Sequence, residues 1–278
     1  MHINRKLTLG AGIGVLVMLC LAILWLSPIL WMVKSSFGQT LFGGAMASLI
    51  PSTPVTLSHF SEAWQSADWL QLYGNTLFFT FGTLLVQLVA ITVVGYVFAY
   101  YEFAGKNLLF YGFLMQMMIM PVMVMVPNLL TLKSMGLLDT LTGAMLPYFA
   151  SGIGVFLMRQ TFLNIPKELE EAAVLEGANW WQVLWYVLIP MARPAMLAFA
   201  VVSVTYHWNE YLWPLMVLSD PSKQLLTIGL VSFAMGAESG GDWGLVSAGT
   251  LMVCAPLVIA FLLFQKQFMR SFGFSGIK

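Results

Sequence analysis

The side chains able to do chemistry in this chain are few, and they gather in two places. The first is ELEEAAVLEGANWW, residues 168–181, where Glu168, Glu170, Glu171 and Glu176 supply four of the chain's 12 acidic residues. The second is Tyr206-His207-Trp208-Asn209-Glu210-Tyr211-Leu212-Trp213-Pro214, where aromatic faces alternate with an imidazole, an amide and a carboxylate. Neither has the makings of a covalent or metal-assisted reaction. The three histidines, His2, His59 and His207, do not cluster, so no metal site is expected. No G-x-x-x-x-G-K-S/T run offers a phosphate cradle. Gly105-Lys106 continues with Asn107 and lacks the upstream glycine. GAGIG (10–14) lies inside an apolar run with no strand before it, and close helix packing through small residues accounts for it. With no nucleophile elbow and no paired carboxylates, the chain is not read as an enzyme, and no cofactor of its own is expected.

The elements that must position these residues follow from composition. Hydrophobic residues make up 59% of the 278 positions and charged residues 9%, against about 45–50% and about 25% in an ordinary soluble domain. Mean hydropathy is +0.84. A bilayer is the solvent that takes so much apolar surface. Residues 7–33, 69–101, 107–132, 140–158 and 243–265 carry no charge, and each run approaches or exceeds the roughly 20 residues a spanning helix needs. A sixth, from Pro194, is apolar until His207. The fold class expected is an all-α integral membrane protein: one transmembrane domain over 1–278, with spans at about 7–33, 73–101, 108–131, 140–158, 194–215 and 245–265. A cleavable signal peptide is the alternative for the first run, with Ala45-Met46-Ala47 as a cleavage site, but Leu7–Val33 exceeds an h-region of about 7–15 residues.

Six spans put both termini on one side. If that side is the cytoplasm it holds Arg5, Lys6, Lys106, Arg159, Lys167, Arg193, Lys266, Arg270 and Lys278, leaving Lys34, Lys133 and Lys223 outside. The excess of basic residues orients the chain this way and puts 159–192 inside. Formal net charge is zero, so no nucleic-acid partner is expected. Cys20 and Cys254 sit within apolar runs and read as packing residues.

Outside, Ser58 is positioned to cap a short helix presenting Phe60, Ala63, Trp64 and Ala67 on one face, with Trp64 and Trp69 at headgroup level. Pro121 and Pro127 predict a kink in the third span. QLLTIGLVSFAMGA (224–237) is too short to cross and reads as a partly buried outer helix. Inside, Pro166 suits a first helical turn, and Glu168, Glu170 and Glu171 favour the positive end of that helix. Gly177 suits a left-handed cap, and Asn179 can start a second helix. Either this is a solvated loop, or its small-residue face at Ala172 and Ala173 is a docking surface.

Glu171-Ala172-Ala173, three residues, Gly177, nine residues, then Val187-Leu188-Ile189-Pro190 resembles the EAA loop of bacterial ABC importer permeases, E-A-A-x3-G-x9-I-x-L-P. LLDTLTGAMLPYFASGIGVFLMRQTFLNIPKELEEAA and HWNEYLWPLMVLSDP look like the carbohydrate branch, similar to the smaller maltose-system permease. The resemblance implies a coupling helix between spans four and five, with Glu171, Ala172, Ala173 and Gly177 at the contact with an ATPase. It also implies a second homologous permease, an ATPase dimer carrying ATP and Mg²⁺ on separate chains, and an extracytoplasmic solute-binding protein, all at the bacterial inner membrane.

For the second cluster, an interfacial aromatic belt is one account. The other lines a substrate pathway with Trp208, Asn209, Glu210, Tyr211 and Trp213, since sugars offer hydroxyls at the edge and C–H groups on the face. No Lys or Arg lies mid-span, which favours a neutral sugar or polyol. Gln87, Tyr96, Gln116 and Asn128 are polar within spans and suit interhelix hydrogen bonding. Two other functions compete with ATP-driven sugar import. An ion-coupled secondary transporter acting alone calls for carboxylates at depth, and a purely structural membrane subunit calls for no pathway.

Overall fold

The computed structural model describes residues 9–38, 55–238 and 242–273. All regular structure among them is helical. Four helices are long and apolar enough to cross a membrane, or six segments if each of two bent helix pairs is one span. The described residues form two compact units, one made of those up to Asp68 with Leu230–Pro256, the other of Trp69–Gly229 with those from Leu257 onward.

In the first unit, α1 (Leu9–Phe37) is apolar all round, and none of its apolar window is buried. Cys20 and Cys254, expected to pack, are exposed. Helix α2 (Ser58–Gln65) follows Leu57, with no side-chain cap, so Ser58 does not cap it. Of the expected face, Ala63 is buried, Phe60 and Ala67 are half-buried and Trp64 is exposed, while His59, outside that face, is buried with Ala63. His59 sets that face: its Nε2 lies 2.7 Å from Asp242 and its Nδ1 3.3 Å from the Ser36 carbonyl.

The second unit is built on α3 (Trp69–Tyr100), whose first residue, Trp69, is buried. The third span is not one kinked helix. Helix α4 (Lys106–Met118) and α5 (Pro121–Ser134) meet at 108°. Proline disfavours helical geometry in the residue before it; Met120 is extended (φ −65°, ψ 132°), and Pro121 opens the new helix. Pro127 is accommodated inside α5. The fourth span likewise divides into α6 (Leu141–Met145), a 3₁₀ turn through Tyr148, and α7 (Gly152–Leu163), bent by 50°. Thr140 caps α6 and Ser151 caps α7.

Helix α7 does not stop at Arg159. The guanidinium Nε donates to the Phe98 carbonyl (3.2 Å) and its Cζ lies 4.3 Å from the centroid of the Phe110 ring, so the charge is accommodated inside the fold. Gly95 makes the α3–α7 approach close: a Cβ there would stand 2.7 Å from the Met158 Cβ and 3.1 Å from the Arg159 backbone nitrogen. Around this contact, Tyr96, Phe98, Phe110, Phe162, Leu184, Leu188 and Phe199 form one core. Phe79, Leu132, Met145, Trp213 and Val217 form another.

The expected loop 159–192 is shorter than its charges imply. It contains α8 (Lys167–Leu175), and the next helix begins at Trp180 as α9 (Trp180–Gln182), passes through a π turn at Val183–Leu188 and continues as α10 (Ile189–Trp208). These form one 29-residue apolar helix. The wider π turn lies just ahead of Pro190, which cannot donate to an α-helical ladder. The helix also ends earlier than 215, with Asn209 at its C-terminal cap. Helices α11 (Leu212–Val217), α12 (Leu226–Glu238) and α13 (Trp243–Gly273) follow.

Candidate functional site

The acidic cluster sits on a helix–turn–helix whose turn is specified residue by residue. Pro166 precedes α8 rather than opening it, holding φ −56° and ψ 127°. Glu168 and Glu170 fill the first turn, next to unpaired N–H groups where negative charge is favoured. Gly177 takes φ +88°. Its N–H donates to Val174 (2.9 Å), and that of Ala178 donates to Ala173 (3.0 Å), the paired bonds of a Schellman stop. Two residues on, the Asn179 side chain accepts from the Gln182 N–H and Gln182 accepts from the Asn179 N–H, both at 2.9 Å. This capping box satisfies two donors that a helix start leaves open.

The two sides of α8 face different surroundings. Ala173, with Ala178 beyond the turn, packs on the core formed by Phe162, Val183, Leu184 and Leu188. The Tyr96 hydroxyl donates to Glu170 (3.4 Å), and burial pushes the Glu170 carboxyl up from the usual carboxylate range against the pull of that bond and of Lys167. Expected contact residues therefore divide. Ala173 is committed to this chain's own core, whereas Glu171, Ala172 and Gly177 are exposed. Val174 is 55% and Leu175 89% exposed. Sequence reasoning does not single out Leu175; its position four residues after Glu171, in a segment rich in carboxylates, is the available signal for a partner surface.

The second cluster also divides. Trp208 and Trp213 are buried, and the Trp213 indole donates to the Ala144 carbonyl (2.8 Å), so both belong to the packed interior. Asn209 is exposed, with its amide on the Thr205 carbonyl (2.7 Å). Glu210 and Tyr211 are half-buried. Tyr148, which sequence reasoning left aside, joins them: it packs 6.1 Å from Tyr206, and the Glu210 carboxylate lies near both phenols. Behind them, Gln87 donates to the Tyr148 carbonyl (2.7 Å) and accepts from Ser203 (2.6 Å). His207 Nδ1 contacts the Ser203 carbonyl (2.7 Å). Gln87 and Gln116, which reaches the Ala150 carbonyl at 3.0 Å, thus act as interhelix bonds.

An apolar, all-helical chain with this capped helix–turn–helix matches one family model over residues 91–271, the binding-protein-dependent transport system inner membrane component. The chain belongs to this family. It is a multi-pass inner-membrane permease, and family membership gives no support to a self-contained ion-coupled transporter. The permease is 30% identical over 255 residues to the arabinooligosaccharides transport system permease protein AraQ of Halalkalibacterium halodurans, covering 90% of each chain. It is 29% identical to the diacetylchitobiose uptake system permease protein NgcG of Streptomyces coelicolor, over 89% of this chain and 83% of that one. It is 32% identical to the sn-glycerol-3-phosphate transport system permease protein UgpE of Yersinia pestis, over 80% and 84%. Its fold is that of a chain in the crystal structure of a bacterial ABC transporter involved in the import of the acidic polysaccharide alginate: TM-score 0.82, 24% identity, 96% of this chain and 99% of the other covered.

Proposed function

We propose that this permease is one of two homologous membrane subunits of an ATP-binding-cassette sugar importer, and that α8 with the Gly177 turn receives the force of an ATPase dimer. The observation that carries this is the outward side of α8. Glu171, Ala172, Val174 and Leu175 stand exposed on a helix whose other side, through Ala173, is bedded in the core. A nearly fully exposed leucine among carboxylates finds a use when a partner covers it. Both ends of the turn are hydrogen-bonded closed, so displacement of α8 is passed into the helix that starts at Trp180. In this reading 164–179 and both termini are cytoplasmic, each bent helix pair is one of six spans, and a solute-binding protein delivers substrate to the opposite face. ATP and Mg²⁺ are held by the ATPase chains. Asn209, Glu210 and Tyr211 line the pathway, with Trp208 and Trp213 as its backing.

A neutral saccharide is the substrate class favoured here. Arabinooligosaccharides and diacetylchitobiose name two of the relatives, and sn-glycerol 3-phosphate, an anion, names the third. A phosphate calls for a cationic clamp. Arg159 is engaged by Phe98 and Phe110, Lys106 by Glu102 and Lys223 by Asp139 and Asp220. The docking assignment is tested by co-purifying the ATPase with the membrane-inserted permease. Glu171→Lys and Leu175→Asp are each expected to reduce recovery of the ATPase at least tenfold without lowering membrane insertion. Recovery at the wild-type level in both would sink the assignment.

A further inference from the structure

The end of α10 holds a buried group with unmet hydrogen-bonding capacity beside an aromatic pair, of which Tyr206 is exposed and Tyr148 half-buried. His207 is 3% exposed. Its Nδ1 lies 2.7 Å from the Ser203 carbonyl, an acceptor, so the proton sits on Nδ1 and Nε2 is left as a bare acceptor. Nε2 is buried and has no hydrogen-bond partner. Such orphaned acceptors are rare in folded proteins and mark positions where a water or ligand donor belongs. The imidazole ring stands edge-to-face against Tyr148 (4.8 Å, 83°) and against Tyr206 (5.2 Å, 80°). Tyr206 is 45% exposed, and Tyr148 and Glu210 are half-buried.

We propose that Tyr148, Tyr206 and Glu210 form a saccharide-binding subsite, with His207 as the positioning residue that sets the angle of the two rings. This rests on the reading of the chain as a sugar permease and names which surface meets the sugar. The tyrosine faces stack on the C–H faces of a pyranose or furanose ring. Glu210, near both phenols, accepts from a sugar hydroxyl, and the buried His207 Nε2 accepts from a single water held behind the rings. The support is rigid: Ser203, Gln87 and the Tyr148 carbonyl form a continuous relay of bonds of 2.6–2.7 Å across three helical elements. Phe79 closes it from below, 6.0 Å from both Tyr148 and His207. The carboxylate is the formal charge in the group, so anionic solutes are disfavoured and neutral hydroxylated ones admitted.

The test uses the full transporter, with partner permease, ATPase and binding protein, in lipid nanodiscs. Saturation-transfer NMR is run with arabinotriose, N,N′-diacetylchitobiose and sn-glycerol 3-phosphate as probes. The expected result is transfer to at least one neutral saccharide and none to the phosphate. Tyr206→Ala and Glu210→Gln each lower that transfer at least fivefold, and Tyr206→Phe, which keeps the ring face, lowers it about twofold. Tyr206 is exposed, so assembly is expected to survive; size-exclusion elution with the partner subunits checks this, and Tyr206→Phe serves where the alanine variant fails to assemble. Transfer within twofold of wild type in both Tyr206→Ala and Glu210→Gln overturns the subsite, as does absence of transfer to either saccharide or stronger transfer to the phosphate. ATP-dependent uptake into proteoliposomes separates this from the transport reading. Binding at these residues without uptake of the bound saccharide keeps the subsite and overturns transport, and uptake untouched by the variants does the reverse.

Discussion

Replacing Gly177 isolates what the α8 turn contributes, because the site has room but the wrong backbone for other residues. A Cβ at 177 meets nothing within 4 Å, and φ is +88°. Substitution therefore adds no clash, and the whole cost is conformational. An L-residue in the left-handed region costs about 1–2 kcal/mol, while Asn is tolerated. At 1.4 kcal/mol per tenfold, Gly177→Ala is expected to raise the population of the opened turn roughly 5–30-fold, and Gly177→Asn much less. Gly177→Pro is more severe: its φ is fixed near −65°, and it removes the N–H that donates to Val174. The assay is amide hydrogen exchange at Ala178, whose N–H is held by the Ala173 carbonyl, with ATPase recovery measured on the same preparations. Protection at Ala178 should fall in the order wild type, Asn, Ala, Pro, and recovery should follow it. Equal protection in the Ala and Asn variants would refute the strain argument. Wild-type recovery in the Pro variant would refute the link between turn geometry and docking.

Two further outcomes follow from packing and charge. Gly95→Ala drives a methyl to within 2.7 Å of the Met158 Cβ and 3.1 Å of the Arg159 backbone, neither of which can swing away; overpacking of this kind costs about 1–3 kcal/mol. The melting temperature of the solubilised permease should drop by several degrees, whereas Gly74→Ala, also in α3 but with nothing within 4 Å, should leave it unchanged or slightly raised. Asp139 accepts from the backbone N–H groups of Asp220 and Ser219 and from Lys223, which hold its carboxyl below the usual aspartate range. A depressed carboxyl contributes its stabilisation above the ordinary range, near 3.9, and loses it only as pH falls through the lower folded-state value. Amide protection at Ser219 and Asp220 should thus persist from neutral pH down to about pH 4 and fade below it; loss of protection already near pH 6 would contradict this.

How much of this is readable from residues alone differs between the charged segment and the apolar runs. At 164–179, signals are local. Gly177 and Asn179 announced their caps, because a positive φ or an open N–H is met by few residue types, and Gln182 completed a box already spelled in the spacing. Within the apolar runs the charge gaps gave lengths but not faces. Lipid removes the contrast between an apolar inside and a polar outside, so Trp208 and Trp213 could not be told from exposed aromatics, and Tyr148 was invisible. Pro121 was read as a kink because one charge-free run covered both helices, although its effect on Met120 was enough to start a new one. The faces were encoded in the reverse sense. Thr76, Thr80, Thr83 and Gln87 recur at helical spacing along α3, and all four are buried, since a hydroxyl or amide in lipid seeks protein rather than the surroundings. Ser203 and His207, one turn apart on α10, are buried in the same way. Taken as inward markers, these six polar residues point α3 and α10 at one another, where Ser203 bonds Gln87. From that seam the orientation of Tyr206, two residues before the end of α10, follows by helical rotation.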